Sequence, residues 1–226
     1  MEEIRIKIVD IINLQNNLNI NTSGEKWTSG ITNKNRKIDW LRCIRMELAE
    51  FIDSFPWKHW KDIDGKIDID NAKIELVDIL HFVLSYIIAT NNSSEENIKR
   101  YTCTIKNLND EFKFNNLCVD SIIEKAEELQ RATFDDKEAI NIFEIFFELS
   151  YLFNLQFEEL FNLYIGKNVL NEFRQNNGYK EGKYIKIWDK KEDNVVMQEV
   201  LISLNDVNYT NLYSKLEAKY NLIKEQ

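Results

Sequence analysis

"IELVDILHFVLSYII", Ile74 to Ile88, reads as a helix that is apolar on nearly every side. Ile74, Leu76, Val77, Ile79, Leu80, Phe82, Val83, Leu84, Ile87 and Ile88 leave almost no polar face. A helix of that kind is buried among others. Yet Glu75 and Asp78 stand inside it, three positions apart and so on one side. A buried ionised carboxylate is costly unless it is paired or metal-bound. The stretch therefore predicts a helical bundle around itself, and it asks what its two acids are for.

A second acid pair lies upstream in "MELAEFIDSFPWKHWK", Met46 to Lys61. Asp39 is placed to cap a helix that runs to about Phe55, just before Pro56. At about 100° per residue, Leu41, Ile44, Leu48, Phe51, Ile52 and Phe55 form one apolar stripe. Glu47 and Glu50 share a sector beside that stripe, at the edge of the core. If the two helices pack antiparallel, four carboxylates converge. Hard oxygen donors without cysteine or paired histidine favour Mg²⁺ or Mn²⁺ over zinc. The structural alternative, salt bridges to Arg42, Arg45 or Lys73, is poor, because those residues point elsewhere on their helices.

The whole chain agrees with an all-α class. It has 226 residues, one proline and six glycines, too few turn formers for an all-β fold. Further helices are expected over 2–20, 70–89, 95–108, 118–133, 136–165 and 208–224. The segments 62–70 and 111–116 read as connectors, and no linker divides the chain into two domains. A net charge of −9 argues against a nucleic-acid polymer as partner, since phosphate attraction needs a basic surface. No run approaches the roughly 18 apolar residues of a membrane span. Cys43, Cys103 and Cys118 have no metal or disulfide spacing and read as reduced core residues of a cytoplasmic protein.

The acid spacing, ExxE, 24 residues, then ExxD, resembles the metal motif of the all-α nucleoside triphosphate pyrophosphatases. "LQNNLN" followed by a tryptophan, "WKHWK", "ELVDILHF" and "KNVLNEFRQNNGYKEGKYIKIW…EDN" narrow it. Together, from Gln15 to Asn194, they resemble the dimeric dUTPases of kinetoplastids and of bacteria of the Campylobacter type. The segments 93–135 and beyond 195 match no motif of that family.

The resemblance implies a single all-α, homodimeric domain that hydrolyses dUTP, and also dUDP, with Mg²⁺. It places Glu47, Glu50, Glu75 and Asp78 as metal ligands. Attack would come from a water on the α-phosphorus, with Glu47 or Glu50 as base and Glu47 preferred. It places Gln15, Asn19, Trp27, His81 and Phe82 around base and sugar. Amides carry both donors and acceptors, which suits the polar edge of uracil, and Phe82 could wall off a ribose hydroxyl. Trp57 and Trp60 are expected to pack against the acid-bearing helix. Asn171, Arg174, Lys180, Tyr184 and Lys186 carry donors for phosphate oxygens, on a segment that Gly178 and Gly182 would let close. Other readings share the acids: a MazG-like pyrophosphatase for other nucleotides, a metal and nucleotide binder without turnover, and a scaffold with structural acids.

Overall fold

A computed structural model describes residues 1–61, 65–204 and 209–224. Among them are nine α-helices: α1 (Glu2–Ser23), α2 (Trp40–Asp53), α3 (Ile69–Ala89), α4 (Glu95–Glu111), α5 (Val119–Asp135), α6 (Ala139–Leu152), α7 (Phe157–Asn176), α8 (Asp193–Ile202) and α9 (Tyr209–Lys224). A two-residue antiparallel hairpin, β1 (Ile187–Trp188) with β2 (Lys191–Glu192), interrupts them. The class is all-α. The chain divides into two compact units, Met1–Leu160 and Phe161–Gln226, with the boundary inside α7. Part of the acidic connector, residues 62–64, and the first residue expected of the last helix, 208, lie outside the described residues.

In the first unit α2, α3 and α4 begin where short polar side chains cap them. The Asp39 carboxylate accepts from the Arg42 backbone N–H at 3.0 Å, and Asp68 does the same for Asn71 at 3.1 Å. Ser94 caps α4 through the Asn97 N–H at 3.3 Å. Such caps satisfy the orphan donors of a first turn.

Helices α2 and α3 pack antiparallel, and three points of contact show it. Ser54, at the end of α2, accepts the Asp68 N–H at 2.9 Å and meets the Asn71 amide at 2.9 Å. Glu47 in mid-helix faces Glu75 and Asp78. Trp40, at the start of α2, stacks on Phe82. Helix α3 is buried along its length, as its apolar sequence requires. Phe51 of α2 and Phe55, just past its end, meet Phe153 edge-on, with ring centroids 5.8 and 5.9 Å apart.

The single helix expected over 136–165 is two. Helix α6 ends at Leu152, and Asn154 takes a left-handed backbone at φ 63°. Asparagine tolerates that conformation, so the break needs neither glycine nor proline. The Ser150 hydroxyl donates to the Leu155 carbonyl at 2.6 Å and closes the corner. Trp57 and Trp60 depart from expectation as well. They meet edge-on at 5.7 Å but are 42% and 63% exposed, outside the core that α2 enters. Only the Trp57 indole returns to α2, donating to Asp53 at 3.2 Å. Cys43 and Cys103 are half-buried and Cys118 is exposed, so the cysteines are free but are not core residues.

The second unit is built on aromatics. Phe173, Trp188 and Tyr220 meet one another with centroids 5.1 to 5.9 Å apart, and Tyr184 stacks on Tyr220 at 5.1 Å. The hairpin turns on Asp189 and Lys190, both left-handed, which is the two-residue geometry that matches strand twist. Helix α8, which carried no expectation, lies so close to α7 that a Cβ on Gly166 would meet Leu201 Cδ1 at 2.5 Å and Met197 Sδ at 2.7 Å. No helix among the described residues is long and apolar enough to cross a membrane.

Candidate functional site

The antiparallel register of α2 and α3 brings three of the four acids together. Carboxylate oxygens of Glu47, Glu75 and Asp78 lie within 4.8 Å of one another. Glu75 is buried, while Glu47 and Asp78 are half-buried. Glu50, on the next turn of α2, is exposed and outside this group. The set fits a divalent cation. Oxygens bound to one Mg²⁺ at about 2.1 Å span at most about 4.2 Å, so small side-chain rotations would close the gap.

The three cations considered as salt-bridge partners are turned elsewhere. Arg42 pairs with Asp39 at 3.4 Å, and Lys73 with Glu159 at 2.6 Å. Arg45 donates to the Thr133 hydroxyl at 3.1 Å and lies over the Phe134 ring. One turn before Glu47, burial pushes the Cys43 thiol pKa up, and the Glu47 carboxylate adds to the rise. Negative charge on α2 is thus felt in a partly desolvated place, where a cation is worth more than in water.

Gln15, Asn19 and His81 form a second constellation, between α1 and α3. All three are buried, at 2%, 3% and 4% exposure. Their hub is Ser85, fully buried one turn beyond His81. The Gln15 amide donates to the Ser85 hydroxyl at 3.0 Å and to Asn19 Oδ1 at 3.0 Å. The Asn19 amide donates to the same hydroxyl at 2.9 Å. Ser85 donates to the His81 backbone carbonyl at 2.8 Å, and His81 Nδ1 lies 2.6 Å from Gln15 Oε1. The sequence reading passed over Ser85. Its signal was present: it is the one small polar residue in "HFVLSYII".

Trp27 and Phe82 join through a residue also passed over, Trp40. Trp40 meets Trp27 edge-on at 5.7 Å and stacks on Phe82 at 6.0 Å. Trp27 is buried and donates its indole N–H to Asn16 at 3.2 Å. The Trp40 indole nitrogen is buried with no hydrogen-bond partner among the described residues. A donor buried without an acceptor costs about 1–3 kcal/mol.

In the second unit, Arg174 and Tyr184 converge on Asp193, the first residue of α8, and Asn171 meets Arg174. Asp193 is fully buried. Arg174 grips it with Nε at 2.7 Å and Nη2 at 2.8 Å, and the Tyr184 hydroxyl donates to it at 2.8 Å. Burial, and then the Asp193 charge, push the Tyr184 phenol pKa far up. Arg174 also donates to Asn171 and Asn194, each at 3.1 Å, and Lys167 donates to Asn194 at 3.0 Å. Lys180 and Lys186 are exposed, and Lys186 pairs with Glu192 at 3.2 Å.

Among curated proteins none matches the chain. A family model described as dUTPase matches residues 7–179, which include most of α1, the acid-bearing α2 and α3, and the span of α7. The match covers more than half of the sequence, and the chain belongs to the dUTPase family of dUTP diphosphatases.

Proposed function

We propose that this enzyme hydrolyses dUTP to dUMP and pyrophosphate, and dUDP to dUMP and phosphate, with Mg²⁺ or Mn²⁺ held by Glu47, Glu75 and Asp78. The carrying observation is the approach of those three carboxylates within 4.8 Å on two packed helices. A divalent cation bound there supplies neutralisation of phosphate charge and a water of lowered pKa.

The chain's own groups do the rest. Glu47 faces the other two acids and serves as ligand. Glu50 stands outside the group and is solvated, so the proton of the attacking water is assigned to it rather than to Glu47. Attack on the α-phosphorus releases the whole pyrophosphate. Gln15, Asn19, Trp27, His81 and Phe82 receive the deoxyuridine. A pocket whose amides and ring nitrogens are matched to an imide edge rejects cytosine by leaving those groups unpaired. Asn171, Arg174, Lys180, Tyr184 and Lys186 carry donors of the kind that bind phosphate oxygens. The enzyme acts as a homodimer in the cytoplasm, each chain one catalytic domain.

The test is product analysis with dUTP, dUDP, dCTP, dTTP and UTP beside one another. Pyrophosphate from dUTP and phosphate from dUDP, with the other three intact, is expected. Equal cleavage of all five sinks the base-pocket assignment.

A further inference from the structure

The buried cluster Gln15–Asn19–His81–Ser85 has a direction that can be traced hydrogen by hydrogen. A backbone carbonyl only accepts, so the Ser85 hydroxyl, 2.8 Å from the His81 carbonyl, must spend its proton there. A hydroxyl has one proton and two lone pairs. Its remaining contacts, Gln15 at 3.0 Å and Asn19 at 2.9 Å, must therefore be N–H donors. Both amides are then fixed with nitrogen toward Ser85. Asn19 Oδ1 faces the second Gln15 N–H at 3.0 Å. Gln15 Oε1 is left facing His81 Nδ1 at 2.6 Å. That oxygen also only accepts, so Nδ1 carries the hydrogen, and Nε2 of the neutral ring is an acceptor. The backbone oxygen of His81 thus sets the tautomer of its own side chain, by way of Ser85 and Gln15.

We propose that Ser85 is a positioning residue: it fixes the hydrogen-bond polarity of Gln15, Asn19 and His81, and through them which base the pocket accepts. The selectivity half rests on the base-pocket reading above. An acceptor on His81 suits a base that offers a ring N–H, as uracil does, and opposes one that offers a lone pair there, as cytosine does. Without the hydroxyl, nothing prevents either amide from turning over, and both tautomers of His81 become available. Ser85 touches no reacting atom and acts only through its neighbours.

The chain has two histidines, His59 and His81, so its imidazole signals are few. Long-range proton–nitrogen NMR of the full-length labelled protein at pH about 8.5 reads the neutral tautomer, since an ordinary imidazole titrates near 6.5. His59→Asn identifies which signals belong to His81. The expected result is the Nδ1–H form in the unsubstituted protein and a mixture, or the Nε2–H form, in Ser85→Ala. Alongside, kcat/KM for dUTP over dCTP should fall about tenfold in Ser85→Ala, the worth of one buried hydrogen bond. If Ser85→Ala does not fold, Ser85→Cys, a weak donor of similar size, takes its place, and the tautomer of the unsubstituted protein stands alone as a test. An Nε2–H form in the unsubstituted protein overturns the proposal. So does a Ser85 variant that keeps the Nδ1–H form, or one that keeps its discrimination. If neither nucleotide is cleaved by the unsubstituted protein, the proposed function fails, while the tautomer still decides the role of Ser85.

Discussion

Glu47 of α2 and Asp78 of α3 bring carboxylate oxygens within 4.8 Å of each other, with the buried Glu75 completing the group. Three acids so close repel one another, and a divalent cation among them offsets that repulsion. Saturating Mg²⁺ should therefore raise the melting temperature. At a hundredfold excess over Kd the gain is about 2.7 kcal/mol, or several degrees for a chain of this size. Asp78→Asn or Glu75→Gln should abolish the Mg²⁺ effect and leave the metal-free protein as stable or more so. Scanning calorimetry with and without Mg²⁺ decides it. A Mg²⁺ shift that survives both substitutions contradicts the site.

Glu50 is expected to behave differently from its neighbour. Glu50→Gln should keep most of the Mg²⁺-dependent stabilisation yet lower kcat by about 10² or more, the range of a lost general base. Glu47→Gln should lose both. If Glu50→Gln turns over normally, the proton goes elsewhere.

Much of this site was legible before the fold. The acids of α3 stood out because an apolar helix cannot hide charge cheaply, while the antiparallel pairing of α2 with α3 entered the sequence reading only as the condition on which the acids would meet. The pairwise contacts were not legible. Ser85 sits on the helix that was read most closely, but its role depends on α1 lying alongside. Trp40, the first residue of α2, carried no expectation. Asp193 lies 19 positions from the arginine it holds, and sequence alone cannot place such a pair. The break after α6 was missed because Asn154 adopts its left-handed corner without glycine or proline. Trp57 and Trp60 were expected to pack against α2, but they lie exposed, with only the Trp57 indole reaching back to Asp53.

Trp40 offers a test of the aromatic layer. Its buried indole N–H has no acceptor among the described residues, so an oxygen of the substrate is the natural partner. Trp40→Phe keeps an aromatic ring toward Phe82 while deleting that donor together with part of the ring's bulk. The free protein should hold its melting temperature within a few degrees, while KM for dUTP rises about tenfold. An unchanged KM with a large loss of stability would make Trp40 a packing residue only.

Arg174 and Asp193 form a buried ion pair, with side chains 10% and 0% exposed. Arg174→Ala would leave Asp193 uncompensated in the interior and should cost about 3–5 kcal/mol in denaturant unfolding. The loss should appear without any nucleotide, which separates it from a weakened grip on phosphate. A loss below about 1 kcal/mol would show that water or another cation takes the arginine's place.

The decisive experiment is phosphorus NMR of dUTP incubated with the unsubstituted protein and with Asp78→Asn, each with Mg²⁺ and with chelator. Pyrophosphate and dUMP should form only with the unsubstituted protein and Mg²⁺. Pyrophosphate released at an equal rate in chelator, or by Asp78→Asn, would mean that the carboxylates between α2 and α3 are not the metal centre of this enzyme.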